Sequence, residues 1–340
     1  MAGKNRRQAV VTGAGDFVGL HLVEELLQQD WRVIALADST SQTDQLQRLA
    51  AQHLQLEIVT GDSASLKFLR GAIPDESDAV FNAVHHVSLW SREAEQQTRA
   101  HVQTTRHLVQ AALEKKVRRF IHTSSAAAYG LHPGTLTEDT PSKASSSSIN
   151  FVRSKAAAER EVRKGLRKGL PAVIINPANM IGPYDSYGWA RLFRLVDKGR
   201  LPAMAAGGGS FCHVREVARA EIRAVDAGRI GANYLLGGAD TTYLNLLQSI
   251  AHLLHRRSLP RPLPVPFLRG VARVDETLST LLRRRPTVTR ETVELLSAQL
   301  YCKSTRAQQE LGYQPVPLDV MLKDCHQWLQ AEGLVRKARD

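Results

Sequence analysis

The chain has 340 residues, 43% of them hydrophobic, enough to bury a substantial core and to exclude a disordered polypeptide. Basic residues outnumber acidic ones 45 to 33, a net charge of +12, which makes contact with an anionic partner easy without naming that partner. No run of 18 apolar residues occurs, and Met1 to Gln8 is polar and basic, so neither a membrane span nor a signal peptide is expected and a cytoplasmic location is predicted.

Taken in chain order, Ala9 to Thr12 reads as a strand that runs into a glycine-rich turn. Gly19 to Gln29 follows with Leu20, Val23, Leu26 and Leu27 at helical spacing. Further strands are expected at Arg32 to Ala37, Leu56 to Val59, Ala79 to Val84, Arg119 to Thr123 and Ala172 to Ile175. Between them, helices are expected around Gln45 to Gln52, Glu93 to Glu114 and Val152 to Lys168. This alternation implies βαβ units and a parallel sheet, an α/β protein wound right-handedly. After Asn176 the rhythm breaks, with turns signalled at Pro177, Gly182, Pro183 and Gly207 to Gly209, so residues 1–176 and 177–340 are read as two interleaved parts. Four prolines in Leu259 to Phe267 predict an extended connector, and Val320 to Ala331 predicts a last helix. Cys212, Cys302 and Cys325 are odd in number and lack metal-ligand spacing, so neither a disulfide framework nor a metal site is predicted.

Two segments carry chemistry. Val11-Thr12-Gly13-Ala14-Gly15-Asp16-Phe17-Val18-Gly19 lies between strand and helix, where glycines let a backbone approach a pyrophosphate at a helix N-terminus. Asp38, nineteen residues after Gly19, stands where an acid accepts hydrogen bonds from ribose and repels a 2′-phosphate, which favours NAD over NADP. A turn-forming aspartate is the plain alternative there, and equally at Asp62.

The glycine string resembles the Thr-Gly-x-x-Gly-x-x-Gly of the extended short-chain dehydrogenases/reductases, with Gly13 and Gly19 as its first and third glycines and Asp16 in place of the second. Phe120-Ile121-His122-Thr123-Ser124-Ser125 resembles the strand delivering that family's catalytic serine, which falls on Ser125. Ser154-Lys155-Ala156-Ala157-Ala158-Glu159 resembles the end of its Tyr-x-x-x-Lys helix, with the lysine at Lys155 and Phe151 where the tyrosine belongs. Similarity continues through Asn176-Pro177 and Cys212-His213-Val214-Arg215-Glu216-Val217-Ala218 to Glu310-Leu311-Gly312-Tyr313, and is nearest the dihydroflavonol-reductase-like branch and its hopanoid-associated sugar-epimerase type.

The resemblance implies a Rossmann-type doubly wound parallel sheet with a smaller C-terminal substrate-binding part. It further implies NAD or NADP held by Gly13, Gly15, Asp16, Phe17, Val18, Gly19, Asp38, Asp62, Lys155 and Pro177, and a homodimer paired through the helices around Glu93 to Glu114 and Val152 to Lys168. Phenylalanine at 151 has no proton to exchange with substrate, a loss worth about a hundred- to ten-thousand-fold in rate. His85 and His86, after the fourth strand, are candidates for replacing it, and Tyr129 reads as a packing residue. An oxidoreductase or epimerase acting on a ketone, alcohol or nucleotide sugar, and a silent NAD(P)-binding sensor, both stay open. The basic residues are dispersed, so no specific nucleic-acid partner is expected. Leu259 to Arg285 mixes Leu, Phe and Arg in a way compatible with weak membrane-surface contact.

Overall fold

The structure, a computed structural model, describes residues 6–38, 43–185, 188–199, 205–256 and 263–336. The chain opens with β1 (Gln8–Thr12), α1 (Phe17–Gln28), β2 (Arg32–Ala37), α2 (Asp44–Gln52), β3 (Leu56–Thr60), α3 (Leu66–Ala72) and β4 (Ala79–Asn82). It continues with α4 (Ala94–Thr98), a π-helical turn (Arg99–Gln103), α5 (Thr104–Glu114), β5 (Phe120–Thr123), a 3₁₀ turn (Ala126–Tyr129), β6 (Thr135–Leu136), α6 (Asn150–Leu166), β7 (Ala172–Pro177) and β8 (Asn179–Ile181). Then come α7 (Ala190–Asp197), β9 (Gly208–His213), α8 (Val214–Ala227), β10 (Asn233–Leu236), β11 (Ala239–Thr242), α9 (Tyr243–Leu253), α10 (Val265–Leu281), α11 (Arg290–Ser297), β12 (Gln299–Cys302), α12 (Thr305–Leu311) and α13 (Leu318–Ala331).

Seven strands form one parallel sheet in the order β10-β7-β5-β4-β1-β2-β3. Its central strands are near-continuous apolar runs because helices cover both faces. Val11, Phe81, Ile121 and Ile175 face α1, α8 and α12, whereas Val10, Val80, Phe120 and Ile174 face α3, α5 and α6. Phe81 is fully buried, and truncating such a side chain costs about 3–5 kcal/mol. This is the doubly wound architecture expected. The order reverses beside β1, so the connections leaving β1 and β4 run to opposite sides of the sheet and leave at the strands' carboxyl ends the crevice in which α/β proteins bind ligands.

A second sheet of five strands, β11-β9-β12-β6 with β8 beside β9, sits over the carboxyl edge of the first. The glycines read as a loop signal belong instead to it: Gly208 and Gly209 lie in β9, and a Cβ on Gly207 would stand 2.2 Å from the Leu296 carbonyl oxygen. They are there for close backbone approach rather than for a turn. The expected proline-rich connector is also corrected. Leu259 to Pro262 lie outside the described residues, but α10 starts at Val265 and takes Pro266 into its first turn, where a missing N–H costs nothing. β4 stops at Asn82, two residues short of expectation, where Ala83 and Val84 meet the Gly13 turn. All three cysteines are buried and free. No helix among the described residues is long and apolar enough to cross a membrane.

Candidate active site

At the crevice, Thr12 at the end of β1 donates its hydroxyl to the Phe81 carbonyl at 3.2 Å, fixing β1 against β4. The chain turns at Gly13 with φ +63°, and a Cβ there would lie 2.9 Å from Ala83 O. A Cβ on Gly19 would lie 2.0 Å from Gly13 O, so any side chain would pry α1 off the turn. Both end glycines of the motif are thus sterically required. Gly15 and Phe17 are half-buried and Val18 fully so, with Phe17 and Val18 contributing to the core below.

Asp16 is the N-cap of α1, yet its side chain makes no capping hydrogen bond. Burial, with Asp38 adding repulsion, raises its carboxyl to about 7. Asp38 ends β2 and accepts from Ser63 N at 2.9 Å and Ser63 Oγ at 2.8 Å through one oxygen. Asp62 accepts from Ala64 N at 2.9 Å and from Arg99 Nη2 at 2.7 Å. A dinucleotide fits this cradle: backbone stands where side chains would block it, and the α1 N–H groups lack a side-chain cap. Asp16 crowds it, but a carboxyl that is half protonated near neutrality carries less charge against a pyrophosphate.

Across the sheet, β5 and α6 build the other half. Ser125 caps the 3₁₀ turn, accepting from Ala127 N at 3.2 Å, while its carbonyl accepts from Asn176 Nδ2 at 3.1 Å. The Ser125 hydroxyl proton has no acceptor among the described residues. Lys155 projects from α6 to the end of β5 and donates from Nζ to Thr123 O at 3.3 Å. It is 1% exposed, and burial lowers its pKa to about 8 against the opposing pull of Glu159 and Glu221. Pro177, expected at the nicotinamide end, closes β7 in register with Leu236.

Phe151 is 8% exposed, one turn before Lys155, with its ring between two imidazoles. His85 meets it edge-on at 6.1 Å between centroids and His101 at 5.9 Å. His101 Nε2 accepts from His86 N at 3.3 Å, so its proton lies on Nδ1, which is 2.9 Å from Ser154 Oγ. Ser154 in turn donates to Phe151 O at 3.1 Å. His122 sits below, with Asn82 Nδ2 at 3.0 Å from its Nδ1. Burial first and the Lys155 charge second lower His85 and His122 to about 3, and the same two causes depress His101. Three neutral imidazoles therefore surround one lysine, and the His85 Nδ1 is buried without a partner.

Two carboxylates complete the cluster. Glu159 accepts from Ser124 Oγ at 2.5 Å and from Asn176 Nδ2 at 2.6 Å. Glu221 on α8 is fully buried and accepts from Thr123 Oγ1 at 2.8 Å, and burial pushes it up to about 8. Sequence reasoning named Ser125, Phe151, Lys155 and His85, and the structure brings these together. It missed the roles of His101, His122, Glu159 and Glu221. A signal for Glu221 was present: it occupies the apolar stripe of α8, between Val217 and Val225, where a charge needs a reason. Tyr129 is buried in a cluster with Leu235 and Leu300, as a packing residue should be. No group of three or more metal-ligating side chains lies together among the described residues.

The C-terminal part packs against the segments around Phe151. Thr289 Oγ1 donates to the Leu89 carbonyl, Arg285 pairs with Glu93 at 2.8 Å, and Glu291 accepts from Asn150 N at 3.3 Å. Leu89, Leu131 and Leu295 pack with Ile149 and Phe151 into an apolar wall.

The comparisons with known proteins agree with this layout. The sequence pattern of the NAD dependent epimerase/dehydratase family matches residues 9–237. A putative dihydroflavonol 4-reductase of Synechocystis is 29% identical, over 96% of this chain and 95% of its own. Sterol demethylase protein B of Methylococcus capsulatus is 28% identical, over 96% of this chain and 99% of its own. Among solved structures, that of gox2253 is 30% identical, superimposes with a TM-score of 0.83, and covers 97% of this chain and 100% of that one. With matching motif, sheet order and length, the chain belongs to the NAD dependent epimerase/dehydratase family.

Proposed function

We propose that the protein is an NAD-dependent oxidoreductase interconverting a secondary alcohol and a ketone on an apolar ring compound, with His85 handling the proton that a tyrosine would otherwise carry. The observation that carries this reading is Phe151, set between His85 and His101 one turn before a buried Lys155. When bound, the nicotinamide supplies the hydride acceptor or donor. Asp38, just after β2, stands where an acid repels a 2′-phosphate, which favours NAD over NADP.

In the oxidative direction Ser125 accepts or donates at the substrate oxygen, its other contact to Ala127 N holding the hydroxyl in place. His85, kept neutral, takes the hydroxyl proton. Lys155 supplies positive charge beside the reacting oxygen and would hold the ribose of the bound dinucleotide. A base as weak as this imidazole is a poor match to neutral pH, so turnover is slow. The partly buried Leu89, Leu131 and Leu295 beside Phe151 suit an apolar skeleton better than a sugar diphosphate. The names of the two curated relatives, a dihydroflavonol reductase and a sterol demethylase component, support the same class.

A second reading, nucleotide binding without turnover, is favoured by Phe151, which has no proton to exchange and leaves the glycine cradle intact. NADH absorbance followed with a panel of sterol-like and flavonoid-like ketones separates the two. Slow turnover that rises about 100- to 10,000-fold in Phe151→Tyr supports the enzyme. NADH binding with no turnover in either protein leaves the silent binder.

A further inference from the structure

Helix α10 turns one face into the fold and leaves the other bare. Leu268, Ala272 and Ser279 are buried, the first two packing with Ala205 and Val293. Phe267, Val271, Val274, Leu278 and Leu281, alternately four and three residues apart, are between 41% and 78% exposed. At 100° per residue they form one stripe along the helix, with Leu282 at its edge. Single exposed apolar residues are ordinary, but a contiguous row marks an interaction surface.

The charges of the helix and its C-terminal end select its partner. Arg269, Arg273 and Arg283 are exposed and make no ion pair among the described residues, whereas Arg284 and Arg285, also exposed, pair with Asp275 and Glu93. The two acids of the helix are occupied: Asp275 accepts from Thr287 N, Val288 N and Ser279 Oγ and pairs with Arg284, and Glu276 pairs with Arg290. We propose that this face docks on an anionic lipid surface, the stripe entering the acyl boundary and the arginines meeting phosphate headgroups. A second copy of α10 fits less well. Exposed arginines stand near both ends of the helix and both of its acids are already paired, so parallel and antiparallel pairing alike gather cations with no free acid of the helix to offset them.

The placement also has a consequence for the site. α10 leads into α11, which supplies Leu295 to the apolar wall beside Phe151 and is tied through Thr289 to Leu89. Docking by α10 therefore sets the substrate side next to the bilayer, where an apolar ring compound partitions. That last step rests on the function proposed above, whereas the docking does not.

Co-sedimentation of the full chain with vesicles of phosphatidylcholine and phosphatidylglycerol in equal parts, beside vesicles of phosphatidylcholine alone, tests the docking. The protein is expected to sediment with the mixed vesicles at least about tenfold better than with the neutral ones, and to be released by high salt. Val274→Glu with Leu278→Glu alters only exposed positions, so its NADH titration stays unchanged while its vesicle binding falls about tenfold or more. Wild-type protein left in the supernatant with both vesicles overturns the proposal. So does a double variant that sediments like the wild type. Light scattering supplies a third arm: a dimer that the double variant turns into monomers, with no lipid binding by either protein, assigns the stripe to a second copy instead. Because no arm uses turnover, failure of the docking is distinguishable from failure of the catalytic reading.

Discussion

The carboxyl edge of the sheet treats charge in two different ways on its two sides. Beside β1 and β2 the site is made mostly of absence: Gly13 and Gly19 clear a path, α1 presents its N–H groups, and two carboxylates, Asp16 and Asp38, stand nearby. Beside β5 and β7 it is made of density, with Lys155 enclosed by three imidazoles and two glutamates, almost all of them out of water. A steric cradle tolerates local change as long as the backbone keeps its path. A buried polar cluster does not, because a group left without its partner there stays out of water. The two halves should therefore respond differently to mutation.

The largest expected effect lies in the dense half. If His85 stands in for the tyrosine, His85→Gln lowers wild-type turnover by about 100-fold or more, yet costs little in a Phe151→Tyr background, where the phenol takes over the proton. A double-mutant cycle on kcat checks this. Equal losses in both backgrounds would make His85 a structural neighbour of Phe151 and remove it from the reaction.

The cradle half predicts a smaller, pH-linked effect. The raised carboxyl of Asp16 titrates around 7, and the ionised form repels pyrophosphate. Affinity for NADH should accordingly fall as pH rises through about 7, by up to about tenfold per pH unit, and the fall should flatten in Asp16→Asn. Calorimetric titration from roughly pH 6 to roughly pH 9, which brackets the titration of that carboxyl, measures the slope in both proteins. An unchanged slope in the variant would place the Asp16 carboxylate away from the ligand.

How much could be read beforehand follows the same division. Alternating strands and helices, the Gly13 to Gly19 turn and the Ser125, Phe151 and Lys155 positions were legible because each is a local pattern whose spacing survives folding. Asp38 was legible as a position, but its hydrogen bonds to Ser63 come from the loop after β3 and no spacing announces them. His101 and His122 were not legible. One is delivered by a π-helical turn inside a helix that reads as regular, and the other by a buried position of a four-residue strand that reads only as sheet core. The start of α10 was missed because prolines forbid a helix interior while permitting a first turn.

Stability should carry the signature of the dense half. Glu221 has its folded pKa raised from 4.5 to about 8 by burial, so the folded state holds a proton that the unfolded state has lost. Its contribution is fully present below about 4.5 and disappears as pH rises through about 8. Within that window the slope is at most about 1.4 kcal/mol per pH unit. Glu221→Gln keeps the shape and removes the titration, so urea midpoints of the variant should fall less between mildly acid and mildly alkaline pH. Parallel curves would mean that Glu221 is ionised throughout and that Lys155 alone neutralises it.

The smallest effect belongs to the open half. Arg99 and Asp62 form a 2.7 Å pair, but both side chains are more than half exposed, and such pairs contribute at most about 1 kcal/mol. Arg99→Ala should lower stability by less than that, and high salt should erase the difference. The backbone contact from Ala64 N keeps Asp62 in place without the arginine, so NADH affinity should hardly change. A marked gain in affinity would instead mean that Arg99 competes with the adenosine end of the dinucleotide for Asp62. The cradle would then share the coupled character of the lysine cluster, through an exposed contact rather than a buried one.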